Sequence, residues 1–311
     1  IWNSSASSWT NLLPAGLDSG QVRGLDAAHQ VGNVSPPFTS HAALWSGTAA
    51  SFVDLHPPAY RSSLAYTVAG AQQVGSANNF AENLPRAALW RGNAASHVDL
   101  HPPGAYISHA FATDGVRQGG RVHWLSGPIP GWHATLWNGS AASATSRNPP
   151  GVDYAEVRAM APGVQVGFAR PVGLPNSHAA LWFGTAASYL DLNPPGVPMS
   201  EINATTGTLH GGTAWFGNVA AACLWLDNTG QNTLNLHEML PPGFSTSVAS
   251  GIYEDGGQIW ISGYAEGPGR REAFLWTNVP APGAAVVLCF GLAAAGWRRR
   301  RRTQSDAGCS A

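Results

Sequence analysis

The sequence predicts an all-β fold: a β-propeller of six four-stranded blades, followed by one apolar helix at the C-terminus. Three observations carry this expectation. A segment of the form Ala-x-Leu-Trp recurs, with Trp2, Trp45, Trp90, Trp137, Trp182, Trp225 and Trp276 at intervals of 43, 45, 47, 45, 43 and 51 residues. Turn-forming residues are dense, with 37 Gly and 23 Pro among 311 residues, and this disfavours long helices. After Asn278 the repeat gives way to an uncharged run and a block of arginines.

Each repeat reads as four short strands. The first is His41-Ala-Ala-Leu-Trp45, matched by Arg86-Ala-Ala-Leu-Trp90, His133-Ala-Thr-Leu-Trp137, His178-Ala-Ala-Leu-Trp182, Ala222-Cys-Leu-Trp225 and Ala273-Phe-Leu-Trp276, with Ile1-Trp2 as a truncated first member. Gly47, Gly92, Gly139 and Gly184 lie two residues past the Trp, where a tight hairpin turn needs a positive φ. The second strand is Phe52-Val-Asp-Leu55, His97-Val-Asp-Leu100 or Tyr189-Leu-Asp-Leu192. A Pro-Pro pair stops it, because proline has no N–H for a ladder. A Gly-containing hairpin supplies the third and fourth strands, as in Ser63 to Val68 and Gln72 to Ser76. Four strands in about 45 residues is the size of one propeller blade, and a blade must stack on neighbours to bury its faces. A seventh blade upstream of Ile1 is compatible with the pattern. An open β-solenoid or stacked sandwich is the rival fold.

Composition narrows the function. Charged residues are only 11%, and all 16 basic residues are Arg. Up to Asn278 there are 16 acids and 11 Arg, so this mildly acidic body carries no electrostatic footprint for nucleic acid. Cys223, Cys289 and Cys309 form neither a disulfide framework nor a metal-ligand spacing.

The repeats resemble the HAF family of extracellular repeats, named for a His-Ala-Phe segment running into Leu-Trp and followed by an Asp-Leu strand. The resemblance covers about residues 1 to 278 and implies an extracellular propeller-like array with no particular activity. Here Pro-Pro replaces the family's Gly-rich step after Asp-Leu, and the third unit has Ala144-Thr-Ser-Arg147 in place of Val-Asp-Leu.

In the tail, Val279, Pro280, Ala281 and Pro282 precede an uncharged run, residues 283–297, then Arg298, Arg299, Arg300, Arg301 and Arg302, and a polar end, residues 303–311. A transmembrane helix over 283–297 is expected, with the Arg block on the cytoplasmic side. This order resembles the PEP-CTERM sorting signal of Gram-negative and related bacteria, with Ala281 at the family's Glu position. The resemblance implies recognition by an exosortase-like processing enzyme, transient anchoring in the inner membrane, and an extracellular or cell-surface destination.

Candidate chemistry is sparse. Recurrent His41, His56, His101, His133 and His178 fall at equivalent repeat positions, which a ring would hold far apart, so hydrogen bonding within blades is preferred over a metal site. Asp54, Asp99 and Asp191 alternate with Asn235 and Asn11, which fits hydrogen bonding rather than proton transfer. Asp153 with Glu156 and Glu254 with Asp255 break the repeat and are the carboxylate candidates. The recurrent Trp residues are assigned to packing between blades. Trp124, Trp132, Trp215 and Trp260 lie off the register and are assigned mainly to burial, although exposed Trp faces suit sugar rings. No catalytic residue, metal or cofactor is assigned.

The expected function is therefore a non-catalytic surface or extracellular scaffold or binding module, with envelope polysaccharide or surface proteins as partners. The alternative is an extracellular carbohydrate-active enzyme, a glycosidase or lyase, with its site at the propeller axis. A repeat with no ligand is a third reading.

Overall fold

The computed structural model describes residues 8–127 and 130–277. Trp2, the sorting-motif residues Val279 to Pro282, the expected helix 283–297, the Arg298 to Arg302 block, Cys289 and Cys309 lie outside the described residues. Among the described residues, no helix is long and apolar enough to cross a membrane.

The described chain is an all-β propeller-like array. Its units run from the inside outwards. Unit one holds β1 (Ser19–Leu25), β2 (Gln30–Ser35), β3 (His41–Trp45) and β4 (Val53–Asp54), and unit two holds β5 (Tyr60–Ala69), β6 (Gln72–Asn79), β7 (Pro85–Trp90) and β8 (Val98–Asp99). Units three and four are β9 (Ile107–Thr113), β10 (Gln118–Trp124), β11 (Gly131–Trp137), β12 (Thr145–Ser146), and β13 (Val152–Ala161), β14 (Val164–Pro171), β15 (His178–Trp182), β16 (Leu190–Asp191). Unit five is β17 (Ser200–Thr205), β18 (His210–Phe216), β19 (Val219–Trp225) and β20 (Thr233–Asn235), and unit six is β21 (Thr246–Asp255), β22 (Gln258–Gly267) and β23 (Arg270–Thr277).

The expected six separate four-stranded blades do not appear in the sheets. Four sheets have four or more strands, and the fifth, β21–β22–β23, has three. The two central units share one eight-stranded sheet because Trp132 of β11 pairs in parallel with Tyr154 of β13.

The order of strands also differs from expectation. The Ala-x-Leu-Trp segment is the third strand from the inside, not the first. The glycine after it does adopt a positive φ, as at Gly47 (86°) and Gly92 (80°). It does not close a simple hairpin, however. It opens a 3-10 turn, Ala49–Ser51, Ala94–Ser96, Ala141–Ser143 or Ala186–Ser188. Ser51 Oγ accepts the Ser46 N–H at 2.7 Å and donates to the Thr48 carbonyl at 2.7 Å, so one hydroxyl locks the turn. The strand that follows is only two residues long, because a turn ends it before Pro-Pro: an Asx turn at Asp54, Asp99 and Asp191, and a serine turn at Ser146.

The core lies between units. Trp90, Trp137, Trp182 and Trp225 each enter a cluster formed with the preceding unit, and Trp276 does the same against unit five. Trp225 and Trp276 donate their indole N–H groups to the carbonyls of Leu192 and Leu236 in the neighbouring unit. Buried serines add polar staples: Ser63, Ser108, Ser200 and Ser247 accept the N–H of Ala42, Ala87, Ala179 and Ala222, each in the preceding unit.

Candidate ligand site at the axis

Every innermost strand carries a β-bulge at the same place. The register skips Arg23, Tyr66, Phe111, Arg158, Asn203 and Ser250, one in each unit. Opposite the residue before each bulge stands a glycine: Gly32, Gly75, Gly120, Gly167, Gly212 and Gly263. A bulge twists the strand and re-aims a side chain. The six re-aimed residues differ chemically, so the most regular backbone feature presents the least repetitive side chains.

Four of them, Arg23, Arg158, Asn203 and Ser250, line a cavity of about 700 Å³ to which all six innermost strands contribute. Tyr66 and Phe111 instead pack on each other at 5.2 Å, with the His109 ring stacked 5.3 Å from Phe111. Burial, with the nearby Arg121 cation second, pushes the His109 imidazole down to about 4.

The charges in units three to five neutralise one another. Glu156, almost fully buried, takes Arg121 at 2.7 Å on one oxygen and Arg158 at 3.1 Å on the other. Arg158 also reaches Glu201 at 2.9 Å and Asn203 Oδ1 at 2.7 Å. Burial opposes the charge of Arg158, but Glu201 and Glu156 outweigh it and raise its pKa. Asn203 then donates to the Ala249 carbonyl at 3.1 Å, so this network ties units three to six together.

The free polar groups of the cavity sit on units one and six. Arg23 is exposed, lies 5.7 Å over the Tyr66 ring, and has only a long bond of 3.3 Å to Asn33 Oδ1. No carboxylate among the described residues lies within ion-pair distance of it. Ser250 and Ser262 of unit six are exposed. Trp260 and Tyr253 pair there at 5.6 Å, and Tyr253 is exposed. No Asp or Glu is among the residues lining the cavity.

The sequence candidates distribute as follows. Trp45, Trp90, Trp137, Trp182, Trp225 and Trp276 are all buried; the last five lie at junctions between units, and Trp45 packs on Leu12 and Val34 of the first unit. The off-register Trp124, Trp132, Trp215 and Trp260 are half-buried rather than fully buried. Trp132 carries the Arg121 guanidinium 4.2 Å over its ring. Asp153 pairs with Arg170 at 2.9 Å at the surface, so it does not join Glu156 as an acid pair. Glu254 and Asp255 end an exposed hairpin. The recurrent His and Asp residues bond locally: His41 to Asp54 at 2.8 Å, His178 to Asp191 at 2.7 Å, and His56 to Ser63 at 2.9 Å. No group of three potential metal ligands occurs among the described residues. Burial pushes the Cys223 thiol up to about 12, which leaves it unreactive.

Sequence reasoning missed Arg23, Arg158, Asn203 and Ser250 as axial residues. A signal was present: Gly32, Gly75, Gly120, Gly167 and Gly212 each follow the preceding repeat Trp by 30 residues.

No family model and no curated protein matches this chain. Solved structures do. Puromycin hydrolase aligns with a TM-score of 0.56 at 13% identity, over 85% of this chain and 46% of its own. A structure from a study of two prolyl endopeptidases aligns with a TM-score of 0.52 at 8% identity, over 83% of this chain and 41% of its own. The chain thus spans less than half the length of these two proteins, and the likeness establishes the propeller-like fold alone.

Proposed function

We propose that the chain is a non-catalytic binding and scaffold module of a bacterial cell surface, a ring of six propeller blades that holds an acidic polysaccharide at its axis. The observation that carries the proposal is the axial cavity, whose one guanidinium without a carboxylate partner is Arg23. A planar guanidinium resting on an aromatic ring is pre-organised for bidentate contact with a carboxylate. The Trp260–Tyr253 pair offers apolar faces for sugar rings, and Ser250 offers a hydroxyl partner. The enzyme alternative needs two carboxyls facing the same space, at about 5–10 Å for a glycosidase. The described lining supplies none. Six bulges and six opposing glycines support counting six blades, with the eight-stranded sheet as two of them.

Titration calorimetry with uronate-containing and neutral oligosaccharides tests this. The acidic sugars are expected to bind, and Arg23→Ala to weaken them roughly 10-fold or more while sparing neutral sugars, as loss of a charged hydrogen bond requires. Equal affinity in wild type and variant overturns the assignment. New reducing ends or unsaturated products on incubation would favour the enzyme.

The tail belongs to the same proposal: Val279 to Pro282 and Arg298 to Arg302 direct the chain to an exosortase-like processing enzyme. Replacing the five arginines by glutamine is expected to leave unprocessed precursor in the membrane fraction. Normal C-terminal cleavage of that variant, read by mass spectrometry, refutes it.

A further inference from the structure

Five of the six possible junctions between neighbouring units are closed, and the sixth is not. At the residue before the repeat Trp, Leu44, Leu89, Leu136, Leu181 and Leu224 are at most 7% exposed, whereas Leu275 is 56% exposed. Ala42, Ala87, Ala134, Ala179 and Ala222 are buried, but the equivalent Ala273 is exposed. On the other side, Ala65, Ala110, Val157, Ile202 and Ala249 precede their bulges fully buried, whereas Val22 is 41% exposed. So the outer face of unit six and the first face of unit one are the two halves of one repeat junction, both uncovered.

Among the described residues, unit six has three strands and no fourth. Elsewhere that strand places Asp54 opposite Ala43, Asp99 opposite Ala88 and Asp191 opposite Ala180. The next residue donates its N–H back to the third strand: Leu55 to the Ala42 carbonyl at 2.9 Å, Leu100 to Ala87 at 2.8 Å, Leu192 to Ala179 at 2.8 Å. On β23 nothing occupies this edge among the described residues.

A matching segment stands on unit one. Asn11 Oδ1 accepts the Leu13 N–H at 3.0 Å, the same Asx turn that Asp54 makes with His56 at 2.8 Å, Asp99 with His101 at 2.8 Å and Asp191 with Asn193 at 2.9 Å. Leu12 is buried with Trp45, as Leu55 is with Trp90. The segment therefore has the local form and the seat of a fourth strand, and β23 is the third strand without one.

We infer that the ring closes by seating residues 11–12 on the edge of β23. Asn11 then lies opposite Phe274, and the Leu12 N–H donates to the Ala273 carbonyl. Closure completes four strands in unit six, covers Leu275 and Val22, and walls the axial cavity on its last side. It rests on the six-blade reading above. Four of its siblings are stapled by a serine, Ser63, Ser108, Ser200 or Ser247, and a fifth, with Ala155 at that position, by Asn148 Oδ1 on the Ala134 N–H. Here Gly20 stands at the position, which leaves this junction weaker. It is thus the point at which the ring can open to admit a polymer to its axis.

The test is disulfide trapping in the full chain, with Cys223, Cys289 and Cys309 replaced. Directly opposed residues of an antiparallel pair lie about 4.5–5.5 Å apart, within reach of a disulfide. Asn11→Cys with Phe274→Cys is expected to cross-link within one monomer. Ala43→Cys with Asp54→Cys, an established pair within unit one, is the control. Control cross-linking without the 11–274 bond overturns closure alone; failure of both overturns the repeat geometry. An 11–274 bond found only between chains assigns the face to a second copy and overturns closure. Oxidative footprinting of the unsubstituted protein reads the same junction without variants. Leu275 is expected to be modified as slowly as Leu181, and a rate more than 10-fold higher overturns closure.

Discussion

Gly120→Ala is expected to abolish stable folding. A Cβ at Gly120 would lie 1.9 Å from the His109 carbonyl oxygen and 2.9 Å from the Ala110 Cα, both backbone atoms of the bulged strand β9. Neither can yield without dismantling the bulge that aims Phe111 inwards. The same clash awaits at Gly32 (1.8 Å), Gly75 (1.9 Å), Gly167 (2.0 Å), Gly212 (2.1 Å) and Gly263 (2.0 Å), so the constraint belongs to the repeat and not to one unit. A cost above about 4 kcal/mol is expected, a size reserved for core disruption. Gly92→Ala is the contrast. Its φ of +80° is unfavourable for alanine, but nothing lies within 4 Å of the new Cβ. It should cost only about 1–2 kcal/mol. Urea unfolding followed by tryptophan fluorescence measures both. If the two variants lose similar stability, close approach at the bulge is not the reason for the glycines.

These glycines also mark the limit of what the sequence discloses. The Ala-x-Leu-Trp series and the Gly two residues beyond it are local signals with local causes, and both survive in the structure as buried junction tryptophans and positive-φ turns. The Asp/Asn exchange correctly pointed to hydrogen bonding, since each accepts an N–H two residues on. The glycine 30 residues past five of the repeat Trp residues marked the place of the bulge, but the bulge itself was not legible. It breaks the alternation of inward and outward residues in mid-strand, so Ser63 to Val68 reads as a short strand when β5 runs Tyr60–Ala69. The cavity was not legible either. Arg23 and Arg158 have the same backbone position, but one is free and the other is neutralised by Glu156 and Glu201, which arrive from different strands and different units. The strand phase was misplaced for a related reason. The strongest motif was taken as the start of a unit, whereas burial of Trp between units makes it the third strand of a sheet that begins at the axis.

Acid should destabilise the protein well before its carboxylates protonate. Burial lowers the pKa of His56, His97, His101, His109, His210 and His237 below 6.5, and His109 falls to about 4. A histidine with a depressed folded pKa binds protons more readily when the chain is unfolded. Its contribution is therefore complete above pH 6.5, declines as the pH falls from 6.5 to 4, and levels off below. For His109 the drop from 6.5 to about 4 corresponds to roughly 3 kcal/mol at about 1.4 kcal/mol per pH unit. Asp26 and Asp227 have pKa values lowered from 3.8, so their contributions are lost in a separate window at lower pH. His109 is well placed to dominate, because it stacks on Phe111 and faces the Arg121 cation with no acidic partner of its own. His109→Gln removes this titration. The variant should lose markedly less stability than the wild type between pH 7 and pH 4 in denaturant unfolding series. Parallel pH profiles for the two proteins would show that the His109 imidazole is not the acid-sensitive element of the axis.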